Sequence, residues 1–168
     1  MTTVATATAP TEAAPTTFRE ALAAFPSGVT VVTTTDRQGR WWGFTASSFC
    51  SLSADPALVL VCLADNAQCH PAFLAAESWV IHVLAPEHAE LAMRFATRGV
   101  DKFSNSDFRP NEKGQPVLDS AAVTLECDAY ARHPGGDHTI LVGRVREVRM
   151  RKTIPAVYFR RGFHTLPE

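Results

Sequence analysis

The residues best suited to hold a ligand are small and hydroxylated: Thr45-Ala46-Ser47-Ser48, followed at once by Phe49. Small side chains let backbone N–H groups approach a ligand, hydroxyls donate to phosphate or carbonyl oxygens, and a phenyl ring packs on an apolar ring. The same residues also suit a strand end that satisfies its own backbone, so this cluster alone does not choose between the two roles. A second cluster, Gly136-Asp137-His138, allows a tight backbone, and His138 there either donates to a ligand or caps a hairpin. None of the six histidines pairs at metal-ligand spacing, and Cys50, Cys62, Cys69 and Cys127 show no CxxC or Cys/His pattern. No metal is expected, and the four thiols are read as reduced cysteines of a cytoplasmic protein.

Several chemistries lack their residues. There is no GxGxxG or GxxxxGK[ST] phosphate loop and no HExxH, and Ala46-Ser47-Ser48-Phe49 lacks the glycines of a nucleophile elbow. Hydrolysis therefore has little support. Sixteen basic residues against seventeen acidic ones give a net charge of -1, which argues against nucleic acid as a partner. The longest apolar run, Ala57 to Ala64, is too short to cross a bilayer, so no membrane span is expected.

The elements that must position these clusters read mainly as strands. Phe18, Ala21, Leu22 and Phe25 share one helical face, and Pro26-Ser27-Gly28 breaks that helix. Val29 to Thr35 is entirely β-branched; after the turn Asp36 to Gly39, Trp41-Trp42-Gly43-Phe44 resumes an extended chain and completes a hairpin. Ala57 to Leu63 is apolar at consecutive positions, which predicts a strand covered on both faces. A short helix over His70 to Ala76, a strand over Trp79 to Leu84 and a helix over Glu87 to Arg98 follow. Gly99 to Gln115 reads as a long loop. Val123 to Arg132 and Thr139 to Met150 form a two-stranded unit closed through Gly135-Gly136, and Val157 to Phe159 is a last short strand. The first seventeen residues hold seven Thr, five Ala and two Pro and read as a disordered tail without the features of a secretory signal. Residues 18–168 are expected to form one domain, an antiparallel β-barrel with a few peripheral helices.

Taken in order, several segments resemble one family. They are Phe18-Arg19-x-Ala21-Leu22-x-x-Phe25-Pro26-Ser27-Gly28-Val29-Thr30-Val31-Val32-Thr33-Thr34, Gly43-Phe44-Thr45-Ala46-Ser47-Ser48-Phe49-x-Ser51-Leu52-Ser53 and Asp55-Pro56-Ala57-Leu58-Val59-Leu60-Val61-Cys62-Leu63. Leu91-Ala92-Met93-Arg94-Phe95-Ala96, Asp101-Lys102-Phe103, Pro116-Val117-Leu118, Gly136-Asp137-His138-Thr139-Ile140-x-x-Gly143-x-Val145 and Tyr158 continue the match. Together they resemble the flavin reductases of two-component monooxygenases, in the branch of the actinorhodin-pathway FMN reductase.

That resemblance implies a Greek-key, FMN-binding split barrel, a homodimer, and a partner monooxygenase that receives reduced flavin, in a setting such as aromatic natural-product biosynthesis. Carried over by position, Thr45, Ala46, Ser47, Ser48 and Phe49 contact the isoalloxazine and ribityl groups, and Cys62, Asn66 and Ala67 lie along the flavin chain. Phe95 with Arg94, Arg98 or Lys102 holds the phosphate end, where a buried dianion needs a cation. Asp55, His138 and Tyr158 belong near NADH or NADPH. No acid or base is obligatory, because hydride passes from nicotinamide C4 to flavin N5; backbone N–H groups near Ser47 and Ser48 stabilise charge at N1 and O2, and His138 orients the nicotinamide. Ser47 and Asn66 depart from relatives that carry Asn and a basic residue there, so FMN against FAD stays open. Two other readings remain: a flavin-binding module without turnover, and a split-barrel oxidoreductase that keeps its flavin. Trp41 and Trp42 serve hairpin packing or a dimer contact.

Overall fold

A computed structural model describes residues 14–104 and 108–167; residues 1–13 of the expected tail lie outside it. Helix α1 spans Pro15–Ala23, so it starts three residues before Phe18, with proline's fixed φ suited to a first helical turn. Its expected apolar face stays uncovered in this chain, with Phe18, Leu22 and Phe25 between 55% and 74% exposed.

Twelve strands follow among the described residues: β1 Ser27–Gly28, β2 Thr30–Thr35, β3 Trp41–Ala46, β4 Cys50–Ser53, β5 Leu58–Ala64, β6 Ser78–Val83, β7 Phe108–Pro110, β8 Pro116–Leu118, β9 Val123–Pro134, β10 His138–Met150, β11 Ala156–Phe159 and β12 Gly162–Thr165. Helix α2 (His70–Ala75) lies between β5 and β6; a 3-10 turn (Pro86–His88) and helix α3 (Ala89–Ala96) lie between β6 and β7. Seven strands make one sheet in the order β3-β2-β6-β9-β10-β5-β4, and every pairing in it is antiparallel. Its two outermost strands are β3 and β4, which are consecutive in the chain and joined only by Ser47-Ser48-Phe49. A link that short spans about 10–14 Å, so the sheet must curl until its edges nearly meet. The result is a barrel with one open seam. At the β4 side of the link, the amide of Cys62 on β5 donates to Ser48 Oγ at 2.9 Å, in line with the β4–β5 register.

The barrel core holds Val32, Phe44, Val61, Leu63, Phe73, Trp79, Ile81 and Leu141. A second core of Val29, Val31, Leu84, Ala92, Phe95, Phe108 and Leu118 lies under α3. The three-stranded sheet β1-β11-β12 closes onto it through Tyr158 and Phe163.

Three expectations change. Strand β5 is buried at Val59, Val61 and Leu63 but only partly at Leu60, Cys62 and Ala64. One of its faces looks into the barrel and the other outward, so two-faced cover does not hold within one chain. The segment 99–115 is not wholly loop, because β7 pairs with β8 and brings Phe108 opposite Leu118 in the second core. Asn111 makes the turn between them, its Oδ1 accepting from the amides of Lys113 at 3.0 Å and Gln115 at 2.9 Å. Strand β4 also falls where no strand was expected, since only one of its four residues is even partly buried and its hydrophobic pattern is weak.

Candidate functional site

Strand β3 ends at the seam and carries the hydroxylated cluster with it. Gly43 lets this happen: a Cβ there would lie 2.6 Å from Cε1 of Phe95, so the bare backbone admits α3 against β3. Thr45 then fastens the helix, its hydroxyl donating to the carbonyl of Ala92 at 2.6 Å. Between the strand end, α3 and the β11–β12 hairpin lies a cavity of about 160 Å³, lined by Val29, Thr45, Ser47, Ala92, Met93, Ala96, Tyr158 and Phe163. Thus the structure brings together Thr45, Ser47 and Tyr158, which lie far apart in sequence.

The other expected flavin contacts divide. Ala46 is buried in the barrel core, while Phe49 and Ala67 pack against that core from the seam side. Ser47 is exposed, the amide of Cys62 donates to Ser48 Oγ beside the β4–β5 ladder, and Asn66 follows β5. Among the described residues, none of the turn and loop hydrogen bonds uses the amides of Ser47, Ser48 or Phe49. Those donors are available to an acceptor.

The cations cluster beyond the end of α3. Arg98 donates to Asn66 Oδ1 at 2.5 Å, and Gln68 Oε1 accepts from the amide of Gly99 at 3.3 Å, which ties the two loops together. Lys102 donates to the carbonyl of Phe95, and burial pulls its ammonium below the usual lysine range. A half-buried cation facing a neutral carbonyl favours an anionic ligand. Arg94 turns away and donates to the carbonyl of Ser104 at 2.7 Å. Phe95 itself is 1% exposed, among Phe103 and Phe108, so its ring shapes the second core and only its carbonyl reaches the cation cluster.

Of the expected nicotinamide contacts, His138 and Asp55 are separated. His138 pairs with Ala64 at one end of β5, whereas Asp55 precedes Leu58 at the other, beyond six rungs of ladder or about 20 Å. One nicotinamide within one chain cannot touch both. His138 Nδ1 lies 2.7 Å from Asp137 Oδ1, and that bond is the first cause holding the Asp137 carboxyl below the usual range. Beside it, Thr139 Oγ1 donates to Asp65 Oδ1 at 2.9 Å, and His70 Nε2 lies 2.9 Å from the same hydroxyl.

Sequence reasoning missed Asp65, His70, Val29, Met93 and Phe163. Spacing gave a usable signal for only one wall, since Ala92 and Ala96 are small residues at i, i+4 on a single helical face. It also left Trp41 and Trp42 open. Within the chain both indoles are bonded: Trp42 donates to Asp36 Oδ2 at 2.8 Å within its own hairpin, whereas Trp41 donates to the carbonyl of Gly114 in the β7–β8 turn at 3.1 Å and packs edge-on against Phe103.

These features fit a flavin mononucleotide: free amides at the strand end, a shallow wall of alanines and aromatics, and an anion-seeking lysine one helix end away. Comparison with known proteins points the same way. Residues 22–167 match the flavin reductase like domain. The chain is 46% identical to the actinorhodin polyketide dimerase of Streptomyces coelicolor, over 89% of this chain and 85% of that one. It is 39% identical to the NADH:riboflavin 5'-phosphate oxidoreductase of Streptomyces pristinaespiralis, over 90% of this chain and 88% of that one. Among solved structures, the NADH:FAD oxidoreductase of Streptomyces globisporus, in complex with NAD and FAD fragments, superposes with a TM-score of 0.85 at 32% identity, covering 90% of this chain and 92% of that one. By sequence and by fold, the chain belongs to the flavin reductase like domain family.

Proposed function

We propose that the protein is an NADH- or NADPH-dependent FMN reductase that supplies reduced flavin to a flavin-dependent monooxygenase. The observation that carries this reading is the convergence of Thr45, Ser47 and Tyr158 on one cavity, beside link amides that no turn or loop hydrogen bond uses among the described residues.

When bound, the flavin supplies the redox chemistry, taking a hydride at N5 from nicotinamide C4. The amides of Ser47 and Ser48 point donors at the pyrimidine edge, where negative charge gathers, and being fixed in the backbone they need no reorganisation. Ala92 and Ala96 leave room for a flat ring, and Tyr158 with Phe163, whose centroids are 5.3 Å apart, gives the opposite wall. Lys102 and Arg98 pair with the phosphate dianion. His138, held by Asp137, orients the nicotinamide through its free ring nitrogen. No side chain has to move a proton for hydride transfer to occur.

The cavity of about 160 Å³ is smaller than the roughly 300–1,000 Å³ of most small-molecule pockets. A second copy of the chain completes it, and the bare face of α1 at Phe18, Leu22 and Phe25 supplies apolar surface for that homodimer. Asp55 then serves the nicotinamide of the other subunit or none. A cytoplasmic site of action agrees with four unpaired cysteines.

The deciding experiment measures anaerobic oxidation of NADH and NADPH while FMN, FAD and riboflavin are varied in turn. Saturable dependence on FMN, weaker with riboflavin because the phosphate contacts are lost, is expected. Binding of FMN without oxidation of either donor would leave a flavin-binding module. A rate indifferent to added flavin, from protein that already carries it, would leave an oxidoreductase with a permanent flavin.

A further inference from the structure

His138 opens β10 at the tip of the β9–β10 hairpin, where the chain turns through Gly135 and Gly136, the latter at φ 76°. Glycines leave such a tip more conformational freedom than other residues would, so a side chain mounted on it needs fastening to keep one position. The contact between His138 Nδ1 and Asp137 Oδ1 supplies little of that, because the Asp137 side chain is 94% exposed and a surface pair of this kind is weak.

The fastening comes from outside the hairpin, at Asp65. This residue follows Ala64, the last of β5 and the register partner of His138, and it holds the residues on both sides of that histidine. Its amide donates to the carbonyl of Asp137 at 3.0 Å, and its Oδ1 accepts from the hydroxyl of Thr139 at 2.9 Å. His70, the first residue of α2, closes the cluster, with Nε2 2.9 Å from Thr139 Oγ1 and 3.2 Å from Asp65 Oδ1. A carboxylate oxygen only accepts, and the one hydroxyl proton of Thr139 already goes to Asp65, so the proton in this contact belongs to His70 Nε2. The His70 side chain is 14% exposed, which anchors the cluster against α2. On the far side of Asp65, Asn66 has a separate bond from Arg98, at 2.5 Å.

We propose that Thr139, His70 and Asp65 are positioning residues for the hydride donor: by holding both chain neighbours of His138, they fix its ring where it orients the nicotinamide. This rests on the flavin reductase reading, because it takes His138 as the residue that meets the nicotinamide. The three act through His138. Hydride transfer depends steeply on how the reacting rings are placed, so loosening the cluster affects both the binding of the donor and the rate. Flavin binding is spared, because Asn66 keeps its own bond from Arg98.

The test uses the full chain with three variants. Thr139→Val keeps a branched side chain suited to a strand, so the fold survives, but it removes the hydroxyl; Thr139→Ser restores the hydroxyl without the methyl group; His70→Ala removes Nε2. Thr139→Val and His70→Ala should each raise KM for the nicotinamide donor about tenfold and lower kcat. Calorimetry with NAD+ and NADP+, which bind without turnover, should show a matching loss of affinity. The dissociation constant of FMN, read by fluorescence, should stay within about twofold of the parent's, and Thr139→Ser should bring the donor constants back to within about twofold. Donor constants that are unchanged in Thr139→Val would overturn the proposal and leave the cluster a structural one. An equal loss for FMN and for the donor would overturn it as a general disturbance of the site, and Thr139→Ser behaving like Thr139→Val would overturn it by excluding the hydroxyl. If the parent binds the oxidised dinucleotide and Thr139→Val does not, while neither reduces flavin, the positioning role stands and the reductase reading fails. A parent that does neither overturns both.

Discussion

The two ends of β3, Trp41-Trp42 and Thr45-Ala46, differ in what surrounds them. At the Trp41 end, Asp36 and Arg40 of the β2–β3 turn answer each other. Asp36 accepts from the amides of Gln38 and Arg40, from the Arg40 side chain and from Trp42 Nε1, and Gly39 takes the one positive φ in the turn. Arg40 completes the arrangement by lying 4.6 Å from the centroid of the Trp42 ring. At the Thr45 end, no turn or loop hydrogen bond among the described residues uses the amides of the link, Lys102 donates to the carbonyl of Phe95, and two arginines of the β11–β12 turn carry positive φ that a glycine would accept more readily. A region that satisfies itself is structural. The end with unused donors is the one proposed to take the flavin.

Predictions that break this contrast can be ranked by size. Gly43 lies between the two ends, and Gly43→Ala drives a methyl into Phe95 and toward the carbonyl of Val32, at a cost of about 3 kcal/mol. Urea unfolding should show that loss of stability, and FMN affinity should fall with it because α3 is displaced from the site end.

Beneath the same end, His82 is fully buried on β6, its Nδ1 3.0 Å from the carbonyl of Val31, and burial pushes its pKa down to about 4. The unfolded chain takes up this proton near pH 6.5 and the folded one only near pH 4. The histidine's contribution is therefore present above pH 6.5 and is lost as pH falls through that window, by roughly 3 kcal/mol. Stability measured from pH 7 to 4 should follow that course, and in His82→Gln this part of the slope should disappear.

Lys102→Met removes the half-buried cation while keeping its stem. FMN should bind ten- to a hundredfold more weakly, about 1.5–3 kcal/mol, as read by flavin fluorescence, and riboflavin, which lacks the phosphate, should bind as before. The smallest effect on function belongs to the self-satisfied end. Asp36→Asn weakens the contacts that hold its carboxyl down to about 2, led by the bond from Trp42, so Tm should fall modestly while kcat and both KM values stay unchanged. A shift in KM for FMN would erase the distinction between the two ends.

How much of this was legible in the sequence follows from the range of the interactions. The β-branched run at Val29 to Thr35 and the paired Val123 to Arg132 and Thr139 to Met150 became β2, β9 and β10, because local propensity and register agree there. Thr45, Ser47 and Tyr158 were legible through the family pattern, and the structure gives them a common cavity. The resemblance sets Phe95 at the phosphate end, and the structure packs its ring with Phe103 and Phe108 in the second core, opposite the bare backbone of Gly43, a contact that no local pattern reveals. The resemblance sets both Asp55 and His138 near the nicotinamide, and the β5–β10 register, which chain distance does not reveal, sets them at opposite ends of β5. The Arg160-Arg161 turn was missed because two arginines before a glycine carry no turn signal, and only backbone angles reveal the conformation.

The central claim, that the Thr45 end binds FMN for reduction, is tested most directly by mixing the purified protein with FMN and NADH without oxygen and following flavin absorbance. The account predicts that FMN is bleached with one NADH consumed per flavin, and that Lys102→Met needs more FMN for the same rate. Flavin that stays yellow in the presence of NADH and NADPH alike, with no binding detected by fluorescence, would contradict it.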